Sequence, residues 1–322
     1  MISIIIVNFN GKKWLDKLFN SLKEQTYTNF EVILVDNASK DASLEYVKQN
    51  FSWVYTISLK KNIGFAGGNN EGISQAKGEY ILLLNSDTWV EADFLEKLWL
   101  SYQNNEVDVI SALESDYNGS QVNSGQNTID FLGHPVRQPL NSKKHFFLSG
   151  ACLFFSHDLY DNTGGLDTDF FMYFEEIDWF WRLHLLKKKI YLDKNISFYH
   201  AGSGSSNSNI LRREMFLWRN NNCLNMLIKN YQLNNLFWVL PLYFAINFIE
   251  MLVFLLILRP TIAYTYIQGL FYNIKMLPKT LEKRKNIQKT RKISDKSIFQ
   301  LMYIGSGKLV HLYERIKNAK TY

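Results

Sequence analysis

Four short apolar runs, each followed by an amphipathic stretch, fill the first 104 residues, and this alternation constrains the fold more than any other feature. The runs are ISIIIV (2–7), EVILVD (31–36), VYTISL (54–59) and YILLLN (80–85). Their length and β-branched content predict strands. Residues 12–25, 40–50, 66–77 and 91–104 carry helical periodicity; in the first of them Trp14, Leu15, Leu18, Phe19 and Leu22 fall on one side. Four strand–helix repeats predict an α/β fold with a Rossmann-like, mostly parallel sheet flanked by helices. Nearly continuous apolar strands fit burial on both faces. Ligands of such sheets bind beyond the carboxyl ends of the strands. Those ends are polar here: Asn8 to Gly11, Asp36 to Asp41, Asn62 to Asn69, and Asn85 to Asp87.

Aromatics make up 15% of the 322 residues, which excludes disorder as the dominant state. Two cysteines, Cys152 and Cys223, cannot build a disulfide framework or a four-cysteine zinc site. The net charge of +6 points to nucleic acid or membrane only if its position supports it. Residues 275–296 hold nine Lys/Arg against Glu282 and Asp295, a net +7, and residues 297–322 add +3. Residues 1–274 therefore carry 6 − 7 − 3 = −4, so no nucleic-acid face is expected on the main domain.

Directly before the basic end lies LFWVLPLYFAINFIEMLVFLLIL (236–258), whose strongly polar side chains are Asn247 and Glu250. Its length could span a bilayer. Glu250 and Pro241 instead favour a buried core helix. A weaker apolar stretch, 261–277, follows Arg259-Pro260. A single span would place the basic end opposite the N-terminal domain, against the preference of basic segments for the cytoplasm. A helical hairpin or in-plane helices with lysines on anionic headgroups is therefore expected, a solvated and partly disordered end being the alternative. The opening MISIIIVNFNG has no basic region before its apolar run, so no signal peptide is expected and the catalytic part is placed in the cytoplasm. The expected domains are 1–230, catalytic, and 231–322, helical and membrane-associating; deleting the latter is expected to leave a folded domain.

A dinucleotide-binding dehydrogenase would carry G-x-G-x-x-G after its first strand; Asn8-Phe9-Asn10-Gly11 stands there instead. No G-x-x-x-x-G-K-[ST] phosphate loop occurs either. The stretch NIGFAGGNNEG (62–72) could let backbone approach a diphosphate, or could be an ordinary loop-to-helix turn.

The series VNFNG, VDNASKD, NIGFAGGNN, LLNSDT, SGACLFF, GGLDTDFFMYFEEIDWFWR and FYHAGSGS, in this order and spacing over residues 1 to about 230, resembles the inverting family 2 glycosyltransferases with a GT-A fold. Within them it is most similar to the rhamnosyltransferase-like branch of bacterial surface polysaccharide synthesis. The resemblance implies a nucleotide-diphosphate sugar donor, a divalent cation (Mn²⁺ or Mg²⁺), and direct displacement at the anomeric carbon. The family's Asp-x-Asp is Asn85-Ser86-Asp87 here, with Asp87 the implied carboxylate ligand and Ser86 beside the donor. Asn85 departs from the pattern; its amide oxygen could coordinate the cation or contact the donor ribose. His200, before a glycine–serine loop, is implied as a further ligand, and an imidazole beside one carboxylate suits Mn²⁺. Asp36 is implied to accept from the nucleobase imide. The main-chain groups around Val7, Asn8 and Asn10 would flank base and ribose, and Asn62, Gly67, Asn69 and Gly150 would line the donor. Asn37, Ser39 and Asp41 are expected to set the turn and cap the next helix.

Inverting transfer needs a base for the acceptor hydroxyl. The family pattern Glu-Asp-x-Asp-Leu-x-x-Arg maps its base onto Glu176, one methylene longer than the usual Asp. Asp178 is the second candidate, although its spacing from Arg182 lets the two pair on one helical face. Among the surrounding aromatics, Tyr173 and Trp179 are the candidate acceptor shelf. The acceptor would be a lipid-linked or growing glycan at the cytoplasmic face of the membrane. Two rivals stand beside this reading: transfer of the sugar to polyprenyl phosphate, and a non-catalytic relative acting as an assembly partner, supported by Asn85 and Glu176. dTDP-rhamnose and UDP-sugars are both open as donors, since Asp36 would meet thymine and uracil alike. Linkage and oligomeric state are open.

Overall fold

All four expected strands and the four helices between and after them form in the computed structural model, which describes residues 1–119, 122–124, 127–138, 145–202 and 209–308. In chain order they are β1 (Ile2–Asn8), α1 (Lys12–Lys23), β2 (Phe30–Asp36), α2 (Ser43–Asn50), β3 (Tyr55–Ser58), α3 (Gly64–Ser74), β4 (Tyr80–Leu84), β5 (Thr88–Val90) and α4 (Phe94–Asn105). Then follow β6 (Val109–Asp116), β7 (Val122–Ser124), β8 (Asn127–Ile129), β9 (Pro135–Arg137), β10 (Cys152–Ser156), α5 (His157–Thr163), α6 (Glu175–Leu185) and β11 (Ile190–His200). The rest is helical: α7 (Asn209–Asn230), α8 (Leu233–Leu256), α9 (Pro260–Thr290) and α10 (Asp295–Phe299).

Among the described residues one large sheet runs β3-β2-β1-β4-β10-β6-β11-β5, with β7 on β6. β1 pairs in parallel with β2 and β4, and β2 with β3. The β1–β2 register runs from Ile2↔Phe30 to Asn8↔Asp36, so both strands deliver their polar ends at one level. Side chains alternate across each strand. Ile4, Ile6, Leu34, Leu82 and Phe154 enter one core with Leu18 and Phe19 of α1 and Leu98 of α4. Ile5, Val7 and Val35 face α3, which lies close enough that a Cβ on Gly68 or Gly72 would fall 2.7 Å from Val7 Cγ1 or 2.4 Å from Ile5 Cγ2. Each apolar side chain so buried stabilises the fold by about 1.5–3 kcal/mol.

The sheet departs from the parallel expectation at its middle. β10 runs antiparallel between β4 and β6. Its first residue, Cys152, pairs with Leu84, the last of β4, and Asn85 N–H donates to Ala151 O at 3.0 Å. Reversal thus brings the turn before β10, with Ser149 and Gly150, to the ligand end of β4.

Two compact units divide the chain: Met1–Gln126, Phe147–Trp179 and Lys188–Ser205 form the first, and Asn127–Phe146, Phe180–Lys187 and Ser206–Tyr322 the second. The packing units are interleaved in sequence and do not follow the functional division expected at residue 230; α7 belongs by its contacts to the second unit.

In the second unit α9 packs along α7, where Gly269 allows close approach: a Cβ there would lie 2.8 Å from Asn220 Cβ. Polar groups seal this contact, with Asn225 Nδ2 donating to Thr280 Oγ1 at 2.9 Å and Asn273 Nδ2 to Asn221 O at 3.0 Å. Arg284 reaches the carbonyls of Ile228 and Tyr231, Gln288 Nε2 those of Lys229 and Asn230 (both 3.0 Å), and Arg291 that of Asn230 at 3.1 Å. These are the last carbonyls of α7 and that of Tyr231 just after it, which lack partners inside the helix. Much of the expected tail is therefore ordered helix, and two of its arginines are C-terminal caps rather than solvated charges. Lys275, Lys279, Lys285, Lys289, Lys292 and Lys296 remain exposed; residues 309–322 lie outside the described ones.

The apolar segment is the single helix α8, continuous through Pro241 and, among the described residues, the one helix long and apolar enough to cross a membrane. Its polar residues Asn247 and Glu250 both bond Lys308 Nζ. The expectation of a buried core helix fails on its outer surface, where Phe237 is 74% and Leu256 82% exposed.

Candidate active site

The carboxyl ends of β1, β2 and β4 converge on one rim. Asn8, fully buried, donates from Nδ2 to Ser39 Oγ at 3.1 Å and to Asp36 Oδ1 at 3.4 Å. Asp36 Oδ2 accepts from Ser39 N–H at 3.1 Å, and Ser39 Oγ accepts from Asn10 N–H at 2.9 Å. Asn10, at φ +55°, accepts on Oδ1 from Lys40 N–H at 2.7 Å. Asp41 accepts from Lys12 N–H at 2.9 Å and Ser43 N–H at 3.1 Å, so it ties the starts of α1 and α2 together. These hydrogen bonds and that of Ser43 Oγ hold its carboxyl below the usual range, although burial acts in the other direction and is the largest single influence. Asn37 clamps the α3 entry, accepting from Ile63 N–H at 2.8 Å and donating to Gly64 O at 3.1 Å. Asn62 Oδ1 accepts from Gly64 N–H at 2.9 Å.

The glycine-rich stretch is helix, not a phosphate loop. Gly67 is buried, with a Cβ there 3.0 Å from Ile63, and Asn69 Nδ2 is engaged by Phe65 O at 2.9 Å. Gly68 and Gly72 let α3 lie against β1, while Gly67 packs on Ile63 at the start of its own helix. Val7 likewise spends its side chain on Gly68.

Past β4, Asn85, Asp87 and His200 come together. His200 Nε2 lies 3.1 Å from Asp87 Oδ1 and 3.3 Å from Asn85 Nδ2, and Nδ1 lies 3.0 Å from Glu114 Oε1. Glu114 Oε2 accepts from Ser149 Oγ at 2.9 Å. The three ionisable side chains are only 12–15% exposed. The mount is stiff: His200 pairs with Thr88 across β5–β11, Ala201 N–H donates to Asp87 O at 3.0 Å, and Trp89 stacks on Tyr199 at 3.8 Å. Burial by itself would lower the His200 pKa, but Asp87 and Glu114 reverse this and raise it to about 9. Ser86 faces the β1 turn, where a Cβ on Gly11 would fall 3.4 Å from Ser86 Oγ. The loop after His200 lies outside the described residues from Ser203.

The third group begins α6. Tyr173 and Phe174 take consecutive left-handed conformations, φ +68° and +73°. Such backbone costs about 1 kcal/mol or more per residue and clusters at functional sites. It delivers Glu175 and Glu176 side by side. Glu175 is buried, and burial, then the neighbouring Glu176 charge, pushes its carboxyl well above the ordinary range. Glu176 is partly exposed and lies against Gly150, whose hypothetical Cβ would be 3.7 Å from Glu176 Cβ and Cγ and from Phe65 Cε1. Asp178 is fully buried. Trp179 is fully buried too, ring against Phe155 at 4.9 Å and Tyr160 at 5.3 Å, with Nε1 donating to Thr163 Oγ1 at 2.9 Å. It is a core residue and offers no face to a sugar, which corrects the expected acceptor shelf; Tyr173 is only half-buried.

The structure thus links Asp87, His200, Glu114 and Ser149 by successive hydrogen bonds, and places Gly150, next to Ser149, near Glu176. Sequence reasoning missed Glu114 as a site residue and Asn37 as a clamp on the α3 entry. An acidic residue near the end of the strand-like run VISALES was the available signal for Glu114.

The chain resembles known proteins most clearly over this first half. It is 34% identical over 127 residues to the glycosyltransferase GlyG of Streptococcus pneumoniae serotype 4, covering 38% of this chain and 42% of GlyG. It is 26% identical over 193 residues to the low-salt glycan biosynthesis hexosyltransferase Agl10 of Haloferax volcanii, covering 56% of this chain and 61% of that one. The chain thus spans less than two thirds of the length of these curated relatives. Its fold is shared with S. aureus TarS 1–349, solved with UDP (TM-score 0.52, 22% identity, 72% of this chain and 66% of that one). It is shared as well with GalNAc-T7, solved with UDP, GalNAc and Mn²⁺ (TM-score 0.55, 16% identity, 69% and 48%). The model of glycosyl transferase family 2 matches residues 3–164, half of the chain, and with the GT-A-type sheet and the polar rim on its strand ends this makes the protein a member of that family.

Proposed function

We propose that the chain is an inverting, metal-dependent glycosyltransferase that moves a sugar from a nucleotide-diphosphate donor, dTDP-rhamnose or a UDP-sugar, to a hydroxyl of a lipid-linked or growing surface glycan. The observation that carries this reading is the hydrogen-bonded line Asp87–His200–Glu114–Ser149, beginning at the ligand end of β4, with Glu176 near Gly150 at its far end. Asp36, level with Asn8 at the strand ends, would accept from the nucleobase imide, with Asn8, Asn10 and the main chain of Val7 beside base and ribose. Asn62 and Asn69 would line the donor from the start of α3, and Ser86 and Gly150 would flank the diphosphate and the sugar.

A divalent cation fits the residues at the second site. Asp87 and Glu114 flank the His200 ring on its two nitrogens, and a diphosphate would meet this acidic pair unfavourably without a cation, whose binding needs the neutral imidazole. Asp87 and the Nε2 side of His200 would hold it, with the Asn85 amide adjacent. Among the described residues no three His, Cys, Asp or Glu side chains surround one point, so donor oxygens and water would complete the shell. The cation supplies charge stabilisation for the departing diphosphate.

Glu176 would take the acceptor hydroxyl proton while that oxygen bonds to the anomeric carbon and the bond to the diphosphate breaks on the opposite face. Burial and the Glu176 charge both push the Glu175 carboxyl up, which favours its neutral form beside Glu176. Asp178, without exposed surface, is the poorer candidate, and Tyr173 remains a candidate contact for the acceptor. Residues 1–230 contribute the chemistry and 231–322 the membrane association: α8 and α9, joined at Ile257–Arg259, would form a hairpin or lie in the interface, with the exposed lysines of α9 on anionic headgroups at the cytoplasmic face.

A thermal-shift screen of UDP- and dTDP-sugars with Mn²⁺ tests this. The donor should raise the melting temperature by mass action, and more with the cation than without it. No shift with any nucleotide sugar would contradict the reading.

A further inference from the structure

Glu114 carries none of the roles described above, yet it touches two of them. It stands in β6, opposite Phe198 of β11 in a parallel register that also sets Asp116 opposite His200. From there its two oxygens point different ways: Oε1 to His200 Nδ1 at 3.0 Å and Oε2 to Ser149 Oγ at 2.9 Å. The side chain is 13% exposed. A buried carboxylate with both oxygens engaged cannot also ligate a cation at the other ring nitrogen, because Asp87 and Glu114 sit on opposite edges of the imidazole. What it can do is hold the ring. An imidazole can rotate about its bond to Cβ and can present either nitrogen; a carboxylate on Nδ1–H fixes both choices and turns Nε2 toward Asp87. Its second oxygen anchors Ser149, whose neighbour Gly150 lies against Glu176.

We infer that Glu114 is a positioning residue that orients His200 toward the cation through one oxygen and holds the Ser149–Gly150 turn beside Glu176 through the other. The inference rests on the proposed cation site. It makes the cation shell and the base neighbours through one side chain, so losing either bond of Glu114 has a separate consequence. Loss of the Nδ1 bond frees the His200 ring and weakens cation binding. Loss of the Ser149 bond loosens the turn and leaves cation binding alone.

Mn²⁺ uptake by the full-length protein, read from the loss of the free-ion paramagnetic resonance signal with UDP or dTDP present, tests this apart from turnover. Removing the outer partner of a metal-bound histidine weakens affinity about 10–100-fold. Glu114→Ala is expected to show that loss, while nucleotide binding without Mn²⁺ stays within about twofold of the unsubstituted protein, a split that general unfolding would not give. Glu114→Gln keeps the shape and an acceptor for Nδ1–H and should recover most of the affinity; if the alanine variant does not fold, Glu114→Leu, of similar size but without an acceptor, should show the same loss, and unchanged Mn²⁺ affinity there overturns the inference. Ser149→Ala should bind Mn²⁺ within about twofold of the unsubstituted protein. Unchanged Mn²⁺ affinity in Glu114→Ala overturns the inference and leaves the cation site standing. Absence of Mn²⁺ uptake by the unsubstituted protein overturns the cation site and the inference with it.

Discussion

The two units solve opposite packing problems. In the first, apolar strands fill the interior, with Ile4, Ile5, Ile6 and Leu34 wholly buried, and polar groups collect at the strand ends where a ligand would bind. In the second, Asn225, Asn273, Thr265 and Thr280 are buried between helices while Phe237, Phe271, Leu256 and Ile274 face outward. Polar side chains joining helices, a glycine at the crossing and an apolar exterior are what helices need where the surroundings are hydrocarbon. An apolar exterior of this extent is rare on a protein bathed only in water. The same residue types therefore mean chemistry in one unit and helix adhesion in the other, and only their positions tell the two apart.

The largest expected effect breaks the contrast at the outer helix surface. Phe237 and Phe271 are 74% and 66% exposed, so their replacement should cost the fold little. Each such side chain buried in lipid is worth about 2 kcal/mol, so Phe237→Asp with Phe271→Asp should shift membrane partition by roughly a thousandfold. Sedimentation with membranes checks it: the unsubstituted protein should pellet and the double variant should stay in solution. A double variant that still pellets would mean that the apolar surface is not the anchor.

A smaller effect probes the second unit's own interior. His184 is buried with Nε2 2.7 Å from Phe146 O, and burial, against a small opposing influence of that carbonyl, lowers its pKa from 6.5 to about 4. The unfolded chain then binds the proton first as pH falls. Stability attached to the neutral ring is complete above about pH 6.5 and is lost as pH falls toward 4, by at most about 3 kcal/mol. His184→Gln should unfold with less dependence on pH across that window. Identical pH dependence in the two proteins would remove His184 from the account.

The sheet was legible because its strands are short and apolar on both faces, and the first four helices lie within a few residues of their expected ranges. The antiparallel direction of β10 was not legible, since reversal depends on which neighbours the chain meets after the β6 excursion. Asp87, Asn85 and His200 were nameable from motifs, and the structure brings them together. Glu114 was not, because its partners are 35 and 86 residues away. Trp179 was misjudged because an aromatic beside the expected base looks alike in sequence whether it faces the cleft or the core. The basic end was read by charge alone, which cannot distinguish Arg284, capping α7, from Lys285, exposed next to it. That distinction changes one earlier expectation. Removing 231–322 would strip α9 from α7 and uncover its last carbonyls, so a cut at residue 230 is not expected to leave α7 folded.

Nucleoside diphosphate release from the cognate nucleotide sugar and an acceptor glycan by the full-length protein tests the central claim most directly. The account predicts release that requires Mn²⁺ or Mg²⁺, is lost in Asp87→Ala, and falls by a factor of about 10²–10⁴ in Glu176→Gln while donor binding persists. Release that proceeds unchanged in Glu176→Gln, or without any divalent cation, would contradict it.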